Sequence, residues 1–327
     1  MKSKSLFVLF YILAIQLHAQ KIGFLIDSYV TERWYTDQKF FIEKIKSLGG
    51  EVQVEVAYGD PLEQIRLSKK MIAEGVKVLV VIPTDARKGI EIVTEAKKAN
   101  VPVISYDRLI LSNDVTIYTS FNNVRVGEMQ AQYAINKVPT GKYLILSGPE
   151  SDNNALQFRE GQYNILQPLI DNGKIKLLGD LRMGTWGEIG ALVKVDEFLS
   201  TSTEKPDVVI ATNDALASGT IQALSKEDRG KIIVTGMDAD VSALRLVMSG
   251  SQSMTIYKPI RPLAYIAAET AMKLAKGQEV KGKTRLKNGD VEVDAILLYP
   301  ITVDKNNIQD TVIKDGHVTL SKLEDKE

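Results

Sequence analysis

Aspartate, asparagine and arginine recur along this sequence in short groups, each just after a run of apolar, often β-branched residues. The groups are Arg33-Trp34, Asp107-Arg108, Asp152-Asn153-Asn154, Asn213-Asp214, Asp238 and Lys258, and Trp186 stands in a loop before a helix. Carboxylates, amides and guanidiniums present paired acceptors or donors, so they can grip adjacent hydroxyl groups from two directions. An indole adds an apolar plane suited to the C–H face of a ring. With Arg33, Arg108, Arg159 and Lys258 set against Asp107 and Asp238, charge can balance inside one site. That suits a neutral polyol; a phosphate or carboxylate would sooner meet uncompensated cations. Each group also has an ordinary use. Asp152, Asp214 and Asp240 make good helix N-caps, Asn154 can turn the chain, and a loop tryptophan can pack locally. Their common position at predicted strand ends is what joins them.

Other chemistries drop out. There is no cysteine, which excludes thiol catalysis, disulfides, thiolate metal sites and a lipid-modified N-terminal cysteine. Of the two histidines, His18 falls in an N-terminal leader and His317 in a polar tail, so neither Ser-His-Asp catalysis nor a multi-histidine zinc site is available. Asp107 and Asp238 could form an acid–base pair across a cleft, as in a glycosidase or sugar isomerase. Nearby cations would keep both ionised, which removes the general acid. Residues 277–284, GQEVKGKT, match the phosphate-loop pattern, but that loop must open a helix. Here a helix precedes it, and residues 285–293 read as turn and strand around Asn288-Gly289. Asp304, Asn306 and Asp310 suggest a calcium loop faintly; Ile308 occupies a required oxygen position and the turn glycine is missing. No catalytic residue, metal or cofactor is expected, and no nucleotide. Lys plus Arg and Asp plus Glu each number 41, so the charge balance offers nothing to nucleic acid.

The elements that must position the polar groups are clearest in residues 76–108. An apolar run over 78–82 is too short for a helix and reads as a doubly buried strand. A helical stretch follows Pro83, and a second strand over 101–106 delivers Asp107-Arg108. Strand, helix and strand at this spacing form a right-handed βαβ unit, and ligands bind beyond the carboxyl ends of such strands. The pattern opens with strands over 21–27 and 52–57 and starts a second round at 142–147. The fold class is therefore α/β, with two doubly wound parallel-sheet lobes. Residues 20–121 with 259–289 are assigned to lobe one, and 122–258 with 290–327 to lobe two. The chain would cross three times, near Phe121, Tyr257 and Asp290, and three parallel connections make a hinge.

At 327 residues there is ample chain for two cores. The start reads as a secretory signal: Lys2 and Lys4, an apolar stretch over 6–15 too short to span a bilayer, and Ala19 for cleavage before Gln20. Removing residues 1–19 takes away two lysines and no acid, leaving 39 basic against 41 acidic residues. An exported protein is expected, with no later segment apolar enough to hold it in a membrane.

At this point the sequence resembles a known family. KIGFLID…ERW, VVIP, YDR, DNNA…FR, TND, GMDAD, MTIYKP and KNNIQDTVIKDG look like the periplasmic D-xylose-binding proteins of ABC sugar importers. These belong to the ribose- and galactose-binding group with the type I periplasmic-binding fold. The resemblance runs from Lys21 to about Gly316. It implies sugar contacts from Arg33, Asp107, Arg108, Asn154, Arg159, Asn213, Asp238 and Lys258. Trp34 and Trp186 match aromatic positions, Trp186 as the wall; Asp152 and Asn153 match as capping or supporting residues. The segment RMGT at 182–185 departs from the family and bears on the choice of pentose. The resemblance implies a non-catalytic, monomeric periplasmic receptor. It would bind a pentose, D-xylose first, between its lobes and hand it to an ABC permease or present it to a membrane sensor kinase.

Overall fold

Runs of apolar, β-branched residues have no polar face to turn to water, so they settle as strands covered on both sides. The computed structural model describes residues 19–30, 33–288 and 291–324. The leader expected over residues 1–19 therefore lies, through residue 18, outside the described residues. The first round comprises β1 (Lys21–Ile26), α1 (Arg33–Ser47), β2 (Glu51–Val56), α2 (Pro61–Ala73), β3 (Val78–Val81), α3 (Ile90–Lys98), β4 (Val103–Tyr106) and β5 (Ile117–Phe121). The second comprises α4 (Asn123–Lys137), β6 (Gly141–Ser147), α5 (Asn153–Asp171), β7 (Ile175–Arg182), α6 (Glu188–Thr201), β8 (Val208–Ala211), α7 (Asp214–Ala223), β9 (Ile233–Val234) and α8 (Val241–Ser249). β10 (Thr255–Tyr257), α9 (Ile260–Ala275), β11 (Thr284–Asn288), β12 (Val291–Leu298) and β13 (Ile301–Val303) follow, and α10 (Leu320–Glu324) closes the described chain.

Two main sheets result. The first runs β11-β12-β5-β4-β3-β1-β2 and is parallel except for β11, which is antiparallel to β12. The second runs β7-β6-β8-β9 and is parallel throughout. β10 and β13 form a separate antiparallel ribbon. One expectation is corrected here. Residues 291–298 were expected in lobe two, yet β12 lies beside β5, with Ala295 opposite Tyr118 and Leu298 opposite Phe121. β11 and β12 are the arms of one hairpin, so β12 must stay with the sheet that holds β11. The third passage thus falls after Leu298 instead of near Asp290, a residue that itself lies outside those described.

Each main sheet is covered on both faces. Phe41 and Ile45 of α1 with Leu263, Ala267 and Ala271 of α9 cover one face of the first sheet. Ile65 and Met71 of α2 with Ile92, Val93 and Ala96 of α3 cover the other. In the second, α6 and α7 pack on one face and α4 and α5 on the other. α4 and α5 cross so closely that only glycine fits. A Cβ on Gly127 would stand 1.9 Å from the Phe158 carbonyl oxygen, and one on Gly161 1.9 Å from that of Val124. This contact fixes the first turns of α5, which carry site residues. Among the described residues no helix is long and apolar enough to cross a membrane.

Candidate functional site

The carboxyl ends of the strands in both main sheets converge on one cavity. From the first sheet come Arg33 and Trp34, opening α1 beyond β1, and Asp107 and Arg108 beyond β4. From the second come Asp152 and Asn154 beyond β6, Trp186 beyond β7, Asn213 beyond β8 and Asp238 beyond β9. Lys258 enters directly after β10. Nine of the ten sequence-predicted residues line this cavity.

Arg159 is the exception and is a correction. Its Nε donates to Asp180 Oδ2 at 2.7 Å, and its guanidinium lies 4.3 Å from the ring centre of Tyr163. The cause is helical phase. Asn154 and Phe158 stand four apart on one face of α5 and both reach the cavity, whereas Arg159 is a further 100° round, towards β7. Phe158 and Met237 are lining residues that the sequence reading missed; the four-residue step from Asn154 was the available signal for Phe158. Trp34 lies in the first turn of α1 and is only 2 % exposed. The guanidiniums of Arg33 and Arg108 sit 4.7 and 5.7 Å from its ring centre. Its Nε1–H has no acceptor within the described protein.

A buried ion network organises the cavity. Arg33 pairs with Asp37 at 3.2 Å, with Asp107 at 3.1 Å and with Asp238 at 3.5 Å. Lys258 Nζ lies 3.0 Å from Asp238, and Arg108 bridges Asp27 and Asp152 at 2.9 Å each. Asp107 Oδ2 and Asp238 Oδ1 are contacted at ion-pair distance but lack an aligned hydrogen-bond donor, so each keeps accepting capacity. Burial opposes ionisation of Asp107, but Arg33, Lys258 and Arg108 outweigh it and hold its carboxyl below the usual range. It remains an ionised acceptor, not a general acid. Burial raises Asp152 despite Arg108 and the hydrogen bonds from Asn154 N–H and Trp186 Nε1–H. Burial likewise raises Asp37 against the pull of Arg33.

The two halves touch directly. Asn154 Nδ2 donates to the Asp107 carbonyl at 3.0 Å, and Ala86 N–H donates to the Ser151 carbonyl at 3.0 Å. Arg108–Asp152 and Arg33–Asp238 also join residues beyond different sheets.

Both central aspartates have left-handed backbones, with φ 59° at Asp107 and φ 100° at Asp238, followed by φ 57° at Ala239. Non-glycine residues hold such angles only where neighbours over-determine them. Around Asp238 the neighbours are distant in sequence. Ala239 N–H donates to Thr255 Oγ1, which donates to Asp214 Oδ2; Asp240 N–H donates to the same Asp214 oxygen. From the other side, His317 Nε2 lies 2.8 Å from the Ala239 carbonyl and so donates to it. His317 was read as a tail residue; it is packed beside Tyr257, and burial lowers its pKa. Among the described residues no group of three or more His, Cys, Asp or Glu is placed to hold a metal.

The arrangement offers ionised acceptors, fixed donors and two indoles, one of them walling the cavity, which is the set required to hold a neutral ring rich in hydroxyls. Comparisons agree with that chemistry. Residues 22–279 match the periplasmic binding protein domain. The D-xylose-binding periplasmic protein of Escherichia coli (strain K12) is 44 % identical over 304 residues, 93 % of this chain and 92 % of that one. Its namesake in Haemophilus influenzae gives the same identity and coverage. Among solved structures, a carbohydrate transporter solute-binding protein from Chloroflexus aurantiacus, in complex with D-glucose, superposes with a TM-score of 0.87. It is 28 % identical, and the match covers 93 % of this chain and 98 % of that one.

Proposed function

The chain belongs to the periplasmic binding protein family, a family of binding proteins and not enzymes, and from that premise we propose that it is a receptor for free D-xylose. The observation that carries the reading is the meeting of Asp107 and Asp238, from opposite sheets, on the single guanidinium of Arg33. A ligand can favour closure only by contacting both halves in the closed form. Here acceptors from both halves face one cavity, their charge compensated by Arg33 and Lys258, with Trp186 as the apolar wall. D-Xylose is preferred among monosaccharides because two relatives named for it share 44 % of their residues across nearly the whole chain. Export to the periplasm, cleavage near Ala19 and delivery by a monomer to an ABC permease belong to the same proposal. The solute-binding relative described as a carbohydrate transporter component supports the permease as partner.

The test is a melting screen over pentoses and hexoses. Because the unfolded chain has no cleft, sugar at a hundredfold excess over its Kd adds about 2.7 kcal/mol. For lobes of this size that is a rise of about 5–10 °C, with D-xylose producing the largest shift. A melt moved only by a phosphorylated sugar, an amino acid or a peptide would sink the receptor reading and leave the fold. Sugar uptake lost on deleting the gene would support the permease; uptake intact with a lost transcriptional response would point to a sensor.

A further inference from the structure

We propose that Gly148, which no family motif singled out, is a positioning residue of the site: it carries the Trp186 ring on its bare Cα and so sets how far the aromatic wall reaches into the cavity. The inference deepens the sugar-binding reading and rests on it. A Cβ built on Gly148 would stand 2.2 Å from Cη2 of Trp186 and 2.4 Å from both Cζ2 and Cζ3. These are three contiguous carbons of the six-membered ring. Their near-equal distances put the glycine under the ring face, since an edge-on approach to Cη2 would leave its two neighbours distinctly farther away.

Neither partner is free to yield. Gly148 directly follows β6, which is flanked in the sheet by β7 and β8. The ring is held by Nε1–H donating to Asp152 at 3.0 Å and by the edge of Phe158, at 6.2 Å between centres and 72° between planes. Its own backbone carbonyl accepts from Asn213 Nδ2 at 3.4 Å. A side chain at position 148 would therefore drive the ring away from β6. The 2.2 Å contact would have to open to the 3.4–4 Å of ordinary van der Waals distance. A wall residue displaced by that amount no longer matches a ring seated against Asp107 and Asp238, whose positions the two halves fix independently.

The experiment is a four-protein cycle: wild type, Gly148→Ala, Trp186→Phe and the double variant, each titrated with D-xylose by calorimetry. Phenylalanine's single ring stops short of Cη2, Cζ2 and Cζ3. The alanine should weaken binding tenfold or more with Trp186 present and less than twofold with phenylalanine there. Equal penalties in the two backgrounds, or unchanged affinity in Gly148→Ala, would overturn the proposal. Should Gly148→Ala not fold, recovery of a cooperative melt in the double variant supports the clash, and a double variant that also fails to fold refutes it. Absence of sugar binding by the wild type would count against the receptor reading alone; the coupling of positions 148 and 186 would then be read from the four melting temperatures.

Discussion

Asp107 and Asp238 occupy equivalent places, each a left-handed residue beyond the end of a strand, yet they are held in opposite ways. Asp107 is secured mainly by its own sheet. Its N–H donates to the Thr119 carbonyl at 2.8 Å, and its carbonyl accepts from Tyr118 OH at 2.7 Å and Ser120 Oγ at 2.6 Å. All three partners sit on β5, the neighbouring strand. Asp238 N–H donates instead to the Ile256 carbonyl at 2.8 Å, Ala239 is held by Thr255 and His317, and Asp240 N–H by Asp214; these partners come from the β10 ribbon, the far end of the chain and an α7 N-terminus. The charged environments differ too. Asp107 shares Arg33 with Asp37 and Asp238, whereas the ion pair of Lys258, among the described residues, is with Asp238. One half of the site is locally braced, with Arg33 shared among three carboxylates; the other depends on long-range supports, and its Asp238 is the ion-pair partner of both Arg33 and Lys258.

The sharpest way to break this contrast is to remove each carboxylate in turn. Asp238→Ala strands Lys258 inside the protein, and orphaning one partner of a buried pair costs about 3–5 kcal/mol. Asp107→Ala leaves Arg33 with two carboxylates, so its loss in unliganded stability should be the smaller of the two. Both variants should lose the thermal shift from D-xylose, because each strips an acceptor that faces the cavity. Urea denaturation of the two proteins without sugar checks the ordering; equal losses would mean that the redundancy around Arg33 has no energetic weight.

A smaller effect is expected from the wall. Trp186→Ala should weaken D-xylose binding by about 2 kcal/mol or more, the cost of truncating a buried aromatic anchor. Ligand should also alter the intrinsic fluorescence, and most of that change should be lost with Trp186, since Trp34, though it lines the cavity, is packed beneath the guanidiniums of Arg33 and Arg108. A folded Trp186→Ala protein with full affinity would remove the wall from the site and leave binding to the polar groups alone.

What the sequence disclosed follows from what is local. The strand-end groups could be read because an apolar run, a turn and a capping residue are contiguous, as in Asp152 before α5 or Asn213 before α7. The failures all involve distance or phase. Arg159 fits the motif but faces β7, a matter of helical rotation that only packing decides. β12 left its expected lobe because hairpin pairing with β11 outweighed its position in the chain. Gly148 and His317 carry no local signal of their roles, since their partners Trp186 and Ala239 lie 38 and 78 residues away.

His317 gives the means to test the long-range half, with an effect of about 1 kcal/mol, typical of a net hydrogen bond. His317→Ala removes the donor to the Ala239 carbonyl and should weaken sugar binding; His317→Gln, which keeps a donor, should recover most of the loss. Combined with Asp238→Asn the effect should be non-additive, and with Trp34→Phe additive. The pH dependence has a definite sign. Burial lowers the pKa of His317 in the folded protein, with Asp315 pulling upward and Arg33 and Lys322 downward. As pH falls below the usual value of about 6.5, the unfolded chain takes up the proton first. The contribution of His317 is therefore complete above that pH and is lost as pH drops towards the folded value. Below it the melting temperature of wild type should fall relative to that of His317→Gln, and above it the two should run parallel.

The smallest expected effect is none at all, and it concerns whether the first half has any ligand-binding edge besides the cleft. The GQEVKGKT segment would supply one if its amides were free to cradle a phosphate. Such a loop works because successive N–H groups at a helix N-terminus point at the anion. Here α9 ends before the segment and β11 begins at its last residue. Lys283 N–H donates to the Ala295 carbonyl at 2.9 Å, and a Cβ on Gly282 would stand 2.3 Å from the Ala295 nitrogen. The glycine and the lysine are thus committed to the β11–β12 hairpin: the first because β12 passes too close for a side chain, the second because its amide already extends the ladder. ATP should not bind, and Lys283→Ala should leave D-xylose affinity unchanged. Saturable ATP binding lost in Lys283→Ala would show that the hairpin can open, and would give the locally braced half a second site that its hydrogen bonding argues against.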